Sequence, residues 1–295
     1  MSVAWRVVVV AAGALVIVLG LGLVSIVRSE GVPAPEPSPT SAPAEETLLL
    51  QVLDGDGYAV GNVVVGIEPP LTESFTVMLA VPASLLVTQG DDSVTLGSTP
   101  SAADTLAGVR AIEQGLGIRV DAGLTLDRLA FAGLVDAVDG IWVKLDRPIL
   151  LPAIGDDDRR RVFGPGWVKM DGIAAADYAV LRLPGESEQD QVDRFMGVLT
   201  EALERLPRGE DTMRQLLTSL GSLAASTVPT EDLVPFLIAV REDIAFARLA
   251  QETLPVEIIR GGSRPASVAA PAAEPLVQEF FSDARVVPEP AGMTG

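Results

Sequence analysis

The sequence predicts a single layered α/β domain standing behind one transmembrane helix. Three observations carry that prediction. An apolar stretch near the N-terminus is long enough to cross a bilayer. A Pro-rich stretch follows it. Beyond that, short β-branched runs alternate with helical patterns at close spacing, as strands layered against helices do.

Val7 to Val27 is apolar or small throughout, with Ser25 its only polar member and Arg6 and Arg28 at its ends. At about 1.5 Å per residue such a helix covers about 31 Å, the thickness of a bilayer core. A cleaved signal peptide has a shorter apolar region and a small-x-small cleavage site. Ser25-Ile26-Val27-Arg28-Ser29-Glu30 offers no such site, so an uncleaved anchor is expected. Arg6 and the terminal amine place residues 1–6 in the cytoplasm by the positive-inside rule. The expected location is therefore the cell membrane, single-pass, with the C-terminal domain extracytoplasmic. Residues 28–46 hold Pro33, Pro35, Pro37, Pro39 and Pro43 and read as an extended linker.

The domain is expected over 47–282, with a disordered tail at 283–295. Thr47 to Leu53 is an apolar run fit for a buried strand, and Asp54-Gly55-Asp56-Gly57 is a turn signal. Val60 to Ile67 and Phe75 to Val81 are further strands, expected as antiparallel hairpins. A helix capped within Ser101 to Asp104 runs to Leu116, Gly117 ends it, and Ile118 to Val120 resumes a strand. Thr125 or Asp127 caps a second helix with Leu126, Leu129, Leu134, Val135 and Val138 on its apolar face. Gly140 ends it, and Ile141 to Leu145 is a strand. Asp156 to Arg161 is a charged loop tip. Further helices are expected from Asp171, over Glu188 to Leu206, Asp211 to Leu223, Glu231 to Val240 and Pro271 to Phe281. Strands around Pro255 fill Ala245 to Ile259. No internal repeat is visible.

The chain has 295 residues, 40 acidic and 21 basic, a formal charge of −19, no Cys and no His. Disulfides, thiolate metal sites, Ser-His-Asp triads and HExxH sites are excluded. So acidic a chain, with no helix-turn-helix and no basic stripe, is not a nucleic-acid reader.

Gly115 to Asp121, Phe131 to Val143, Met170 to Ala179 and Asp193-Arg194-Phe195 form an ordered set of segments, and that set resembles the LytR-CpsA-Psr (LCP) family of membrane-anchored cell-envelope proteins. Gly115-Leu116-Gly117-Ile118-Arg119-Val120-Asp121 is similar to that family's "LLGI-ID" segment. Phe131-Ala132-Gly133-Leu134-Val135-Asp136-Ala137-Val138-Asp139-Gly140-Ile141-Trp142-Val143 looks like its "F-ELVDALGGV-V" segment. Met170 to Ala179 is similar to "LNGEQALAYV", and Asp193-Arg194-Phe195 stands where the family has "RQQ". The likeness covers about Thr47 to Phe281. It implies a single α-β-α domain with a mixed central sheet. It also implies a cavity for a polyprenyl chain, with arginines, acidic residues and Mg²⁺ at the pyrophosphate head. The implied reaction transfers a glycopolymer phosphate from that lipid to peptidoglycan.

Position by position, the charged machinery is mostly missing. The family's "R-x-D-T" falls on Val60-Gly61-Asn62, and its "IPRD" puts Ala83 and Ser84 where Arg and Asp stand. Val180 replaces the first Arg of "YVRxR", while Arg182 stands at the second. Glu188 lies near the Asp of the following segment, Gln191 replaces an Arg, and Arg194 stands at the last one. The remaining headgroup candidates are Arg182, Arg194 and Glu188; the two arginines also have plain structural uses, Arg182 at a helix end and Arg194 paired with Asp190. Phe131, Leu134 and Trp142 are cavity-lining candidates, though core is the simpler role for Trp142, Trp167 and the apolar helix faces. No catalytic residue, metal ligand or cofactor is assigned; Mg²⁺ accompanies the family's activity if it survives. After Glu30 there are 39 acidic and 19 basic residues, a field that repels anionic lipid heads. The expectation is a catalytically degenerate member that binds polyprenyl lipid or scaffolds envelope proteins. An active phosphotransferase, or an anchored interaction module without lipid, is the alternative. Its expected partners are the membrane, a polyprenyl-linked glycan and other envelope proteins.

Overall fold

The computed structural model describes residues 46–68, 74–99, 105–151, 161–259 and 266–285. The expected membrane span at 7–27, the linker to residue 45, the cap at 101–104, most of the charged run and the tail from 286 lie outside the described residues. Among the described residues no helix is long and apolar enough to cross a membrane.

β1 (Glu46–Leu53) is buried along nearly its whole length. Its unbroken apolar run serves both faces of a sheet rather than one. β2 (Ala59–Glu68) and β3 (Phe75–Ala80) follow as the antiparallel hairpins the sequence predicts, Leu50 facing Val63 and Val64 facing Leu79. The turn before β2 closes on Asp54, whose carboxylate accepts from the N–H groups of Asp56 and Tyr58 at 2.9 Å each. β4 (Leu86–Gln89) and β5 (Asp92–Thr95) form a small hairpin that the sequence reading passed over. α1 (Thr105–Leu116) ends at Gly117, in the left-handed region at φ +64°.

The next strand is not Ile118 to Val120. β6 (Ala122–Leu126) is the strand, parallel to β1 with Leu48 beside Ala122. The Asp121 carboxylate sets that register by accepting from the Thr47 N–H at 3.0 Å and hydroxyl at 3.1 Å. Leu126 therefore belongs to the sheet and not to a helix face. Asp127, not Thr125, caps α2 (Arg128–Ala137), accepting from Ala130 N–H at 2.6 Å. Leu129 on that helix points to solvent.

β7 (Ile141–Leu145) pairs with β10 (Gly166–Met170), and β8 (Ile149–Leu151) with β9 (Arg161–Phe163). The helices α3 (Gly172–Val180), α4 (Glu188–Glu204) and α5 (Glu210–Ser219) follow. α5 stops four residues short of the expected Leu223; residues 221–223 form a separate 3₁₀ turn. β11 (Ala224–Ser226) leads to α6 (Thr230–Ala245), which runs past the expected Val240 despite Pro235 in its second turn. β12 (Leu249–Thr253), β13 (Val256–Ile259), β14 (Ala266–Ala269) and α7 (Ala273–Phe280) complete the chain. Pro275 sits in the first turn of α7, where its missing N–H is harmless. Residues 283–285 are not tail: Ala284 is fully buried and its carbonyl accepts from Arg119 N–H at 2.6 Å.

The main sheet has the order β11-β6-β1-β2-β3-β12 and mixes parallel with antiparallel pairs. Alternate residues serve two separate cores. Leu48, Leu50, Val52, Val63 and Val65 face the layer built from α2 to α6. Leu49, Val64, Val77 and Leu79 face α1 and α7. This is the α-β-α arrangement that the resemblance implied.

Candidate functional site

A pocket of about 330 Å³ opens at the end of the central strands. Its walls are the turn after β1 (Asp54, Asp56, Tyr58), the start of β2 (Val60) and the loop after β3 (Ala83, Ser84). The end of α3 (Val180, Leu181, Arg182) and the start of α4 (Glu188, Gln191) complete it. Most of the positions that the resemblance assigned to the headgroup line this one pocket.

The replacements bond to one another. Glu188, at the start of α4, accepts from the Ser84 N–H at 2.9 Å and hydroxyl at 2.5 Å. Gln191 donates its amide to the Val180 carbonyl at 2.8 Å. The Tyr58 hydroxyl donates to the Ala83 carbonyl at 3.1 Å, and its ring occupies the space a side chain at Gly97 would need. These bonds hold the pocket wall together.

Of the three headgroup candidates, Arg182 and Glu188 line the pocket. Arg182 is exposed and makes no hydrogen bond or ion pair among the described residues. Arg194 does not line the pocket, and its partner is not Asp190. Asp190 is taken by the capping box with Ser187, whose hydroxyl and N–H hold its carboxyl below the usual range. Arg194 is buried and pairs with Glu186 at 2.6 Å, donates to the Leu181 carbonyl at 2.6 Å and lies over the Tyr178 ring. Burial pushes the Tyr178 phenol up, against the pull of that guanidinium. Arg128 makes a second buried pair, with Asp177, joining α2 to α3. Desolvation outweighs that partner and raises the Asp177 carboxyl.

Phe131 and Leu134 are buried in the core beneath α2 and line no part of the pocket. Trp142 and Trp167 are neither core nor pocket wall. β7 turns Ile141 and Leu145 inward, so period-two alternation turns Trp142 outward, 45% exposed; Trp167 is 68% exposed.

Sequence reasoning named Gly61 and Phe195 separately and missed their contact. A Cβ at Gly61 would lie 2.3 Å from the Phe195 ring, so that ring fills the place of any side chain there. Phe195 in turn leans on Phe131, with ring centres 6.2 Å apart. The readable signal was the pairing of a Gly on one motif with an aromatic on another. A divalent cation does not fit these residues. Gly61 offers no ligand, Glu188 is committed to Ser84, and no described group of three acidic side chains converges.

Fold and pocket define a three-layer α/β domain with a ligand-sized opening at the ends of its central strands. That fold is the LytR-CpsA-Psr fold. TagV of B. subtilis aligns over 81% of this chain and 98% of its own, with TM-score 0.66 and 15% identity. The LytR-Csp2A-Psr enzyme from Actinomyces oris aligns over 80% and 89%, with TM-score 0.59 and 19% identity. TagT bound to LIIa-WTA aligns over 90% and 100%, with TM-score 0.63 and 16% identity. No family sequence model and no curated protein sequence matches the chain.

Proposed function

We propose that this is a membrane-anchored cell-envelope protein of LCP type that has lost phosphotransfer and retains its pocket for binding or scaffolding. One observation carries the reading. Among the described residues, the pocket presents Asp54, Asp56 and Glu188 against Arg182 as its one lining cation, and the Phe195 ring fills the space of any side chain at Gly61. Phosphate recognition needs several cationic donors, and transfer needs charge neutralised as it develops. Neither requirement is met by one exposed arginine among acids.

The likeness to TagT, whose structure holds LIIa-WTA, supports a lipid-linked wall polymer as the class of ligand. A pocket of about 330 Å³ is at the small end for ligand sites and suits a head group. A long polyprenyl chain has to lie outside it. The apolar stretch at 7–27 supplies the anchor in this proposal, with the domain outside the cell.

The test mixes the purified protein with a labelled polyprenyl-pyrophosphate glycan, a peptidoglycan acceptor and Mg²⁺. No transfer is expected. Mg²⁺-dependent transfer would establish an active phosphotransferase and end the proposal. Lipid retained in native mass spectrometry identifies a lipid binder; its absence leaves the scaffolding form.

A further inference from the structure

The strands β7 to β10 make an arm of two antiparallel ribbons, β7 with β10 and β8 with β9. β7 joins β8 through residues 146–148, and β9 joins β10 through Gly164-Pro165. Its inner face is ordinary core: Ile141, Leu145, Ile149, Leu151 and Met170 are buried among the α2–α6 cluster. Its outer face is not ordinary surface. Trp142 stands opposite Lys169, and Lys144 opposite Trp167, because the tripeptide Trp-Val-Lys occurs on both strands and pairs antiparallel with itself. Further along, Leu150 stands opposite Val162, and these are 48% and 72% exposed.

The chain has only two lysines among its 21 basic residues, and both are here. So are both tryptophans of the described domain. Lys144 has no ion-pair partner among the described residues, and Lys169 holds only the solvent-exposed Asp139 at 2.7 Å. Such exposed pairs contribute little and exchange readily. Asp146 is the nearby acid at the turn out of β7, and Arg161 and Asp171 pair with each other at 2.7 Å.

We infer that the outer face of this arm docks on an anionic lipid surface. Tryptophan is favoured where one side of a ring is apolar and the other wet, as at the headgroup level of a bilayer. Lysine beside it meets anionic headgroups while its stem stays apolar. Leu150 and Val162 add aliphatic reach, which a sugar-stacking surface has no use for. The complementarity is local: a chain of net charge −19 places both its lysines beside the exposed Trp142 and Trp167. The inference rests on the proposed membrane location and not on the proposed loss of catalysis.

The test uses the full chain carrying Trp5→Phe, so that Trp142 and Trp167 are the only tryptophans, reconstituted in phosphatidylglycerol-containing or pure phosphatidylcholine vesicles. In the anionic vesicles their emission shifts to the blue and is quenched by brominated lipid; in neutral vesicles both effects are weak. Lys144→Ala with Lys169→Ala lowers the ratio of docked to undocked arm about 30-fold. Val162→Asp, at a position too exposed to unfold the arm, abolishes quenching. Vesicle-bound protein with unquenched tryptophans overturns the inference. So does equal quenching in neutral vesicles that ignores the lysine substitutions. A blue shift seen only with soluble peptidoglycan fragments makes the face a glycan surface and overturns it equally. Protein that fails to enter vesicles at all refutes the anchor instead, which keeps the two failures apart.

Discussion

Phe195 and Gly61 can be tested as a pair. Phe195 is 1% exposed, so Phe195→Ala removes a buried ring and leaves a cavity, costing about 3–5 kcal/mol. Gly61→Ala places a methyl group 2.3 to 2.7 Å from three atoms of that ring, which must then move against Phe131. Overpacking of this kind costs about 1–3 kcal/mol. In the double variant the ring is gone and the new methyl fills part of the hole. The Gly61→Ala cost should vanish there, giving a coupling of about 1–3 kcal/mol. Urea unfolding of the four proteins reads it, and each kcal/mol moves the melting temperature by about 2–4 °C in a domain of this size. Additivity within about 0.5 kcal/mol would show that the ring does not occupy the space of a side chain at position 61. The same cycle bears on function, since a carboxylate at 61 meets the same ring.

Other perturbations have definite outcomes. Glu186→Ala strands the buried Arg194 charge, whose side chain is 6% exposed, and should cost about 3–5 kcal/mol in urea unfolding. Asp243 is fully buried and accepts from Arg248, Ser74 and Thr76 at 2.8 to 2.9 Å, so Asp243→Ala should cost a similar amount, about 3–5 kcal/mol. Asp177 titrates above 3.8 when folded, so the folded state holds its proton more tightly than the unfolded chain. Its contribution to stability is full below 3.8 and is lost as pH rises through the raised value. Asp177→Asn should remove that component, seen as a difference between the two stability-against-pH curves; identical curves would discard the raised value.

Much of the fold was legible because sheet and helix periods rarely conflict in this chain. The apolar run Leu48-Leu49-Leu50 reads as a buried strand and is one, and Gly117 and Gly140 end their elements at positive φ, as their sequence positions suggest. The misplacement of β6 has a long-range cause. Ala122 to Leu126 is a strand because Asp121 grips Thr47, 74 residues earlier. Local pattern contains no trace of that grip. The candidate site was half legible. Motif order located the pocket, yet Arg194 looked available and is buried under Glu186 and Tyr178. The outward turn of the two tryptophans follows from strand parity, which overrides the tendency of large aromatics to be buried.

The clasp between Thr47 and Asp121 has a mechanical consequence. Any tension carried by the residues before Glu46 reaches the domain at β1, a central strand paired on one side with β2 and on the other with β6. A pull along β1 loads both ladders in shear, so their hydrogen bonds resist together instead of opening one by one. Thr47, the second residue of β1, has its N–H and hydroxyl tied to Asp121 and to the Arg119 carbonyl at 2.7 to 3.1 Å. A domain pulled from this end resists being unravelled strand by strand.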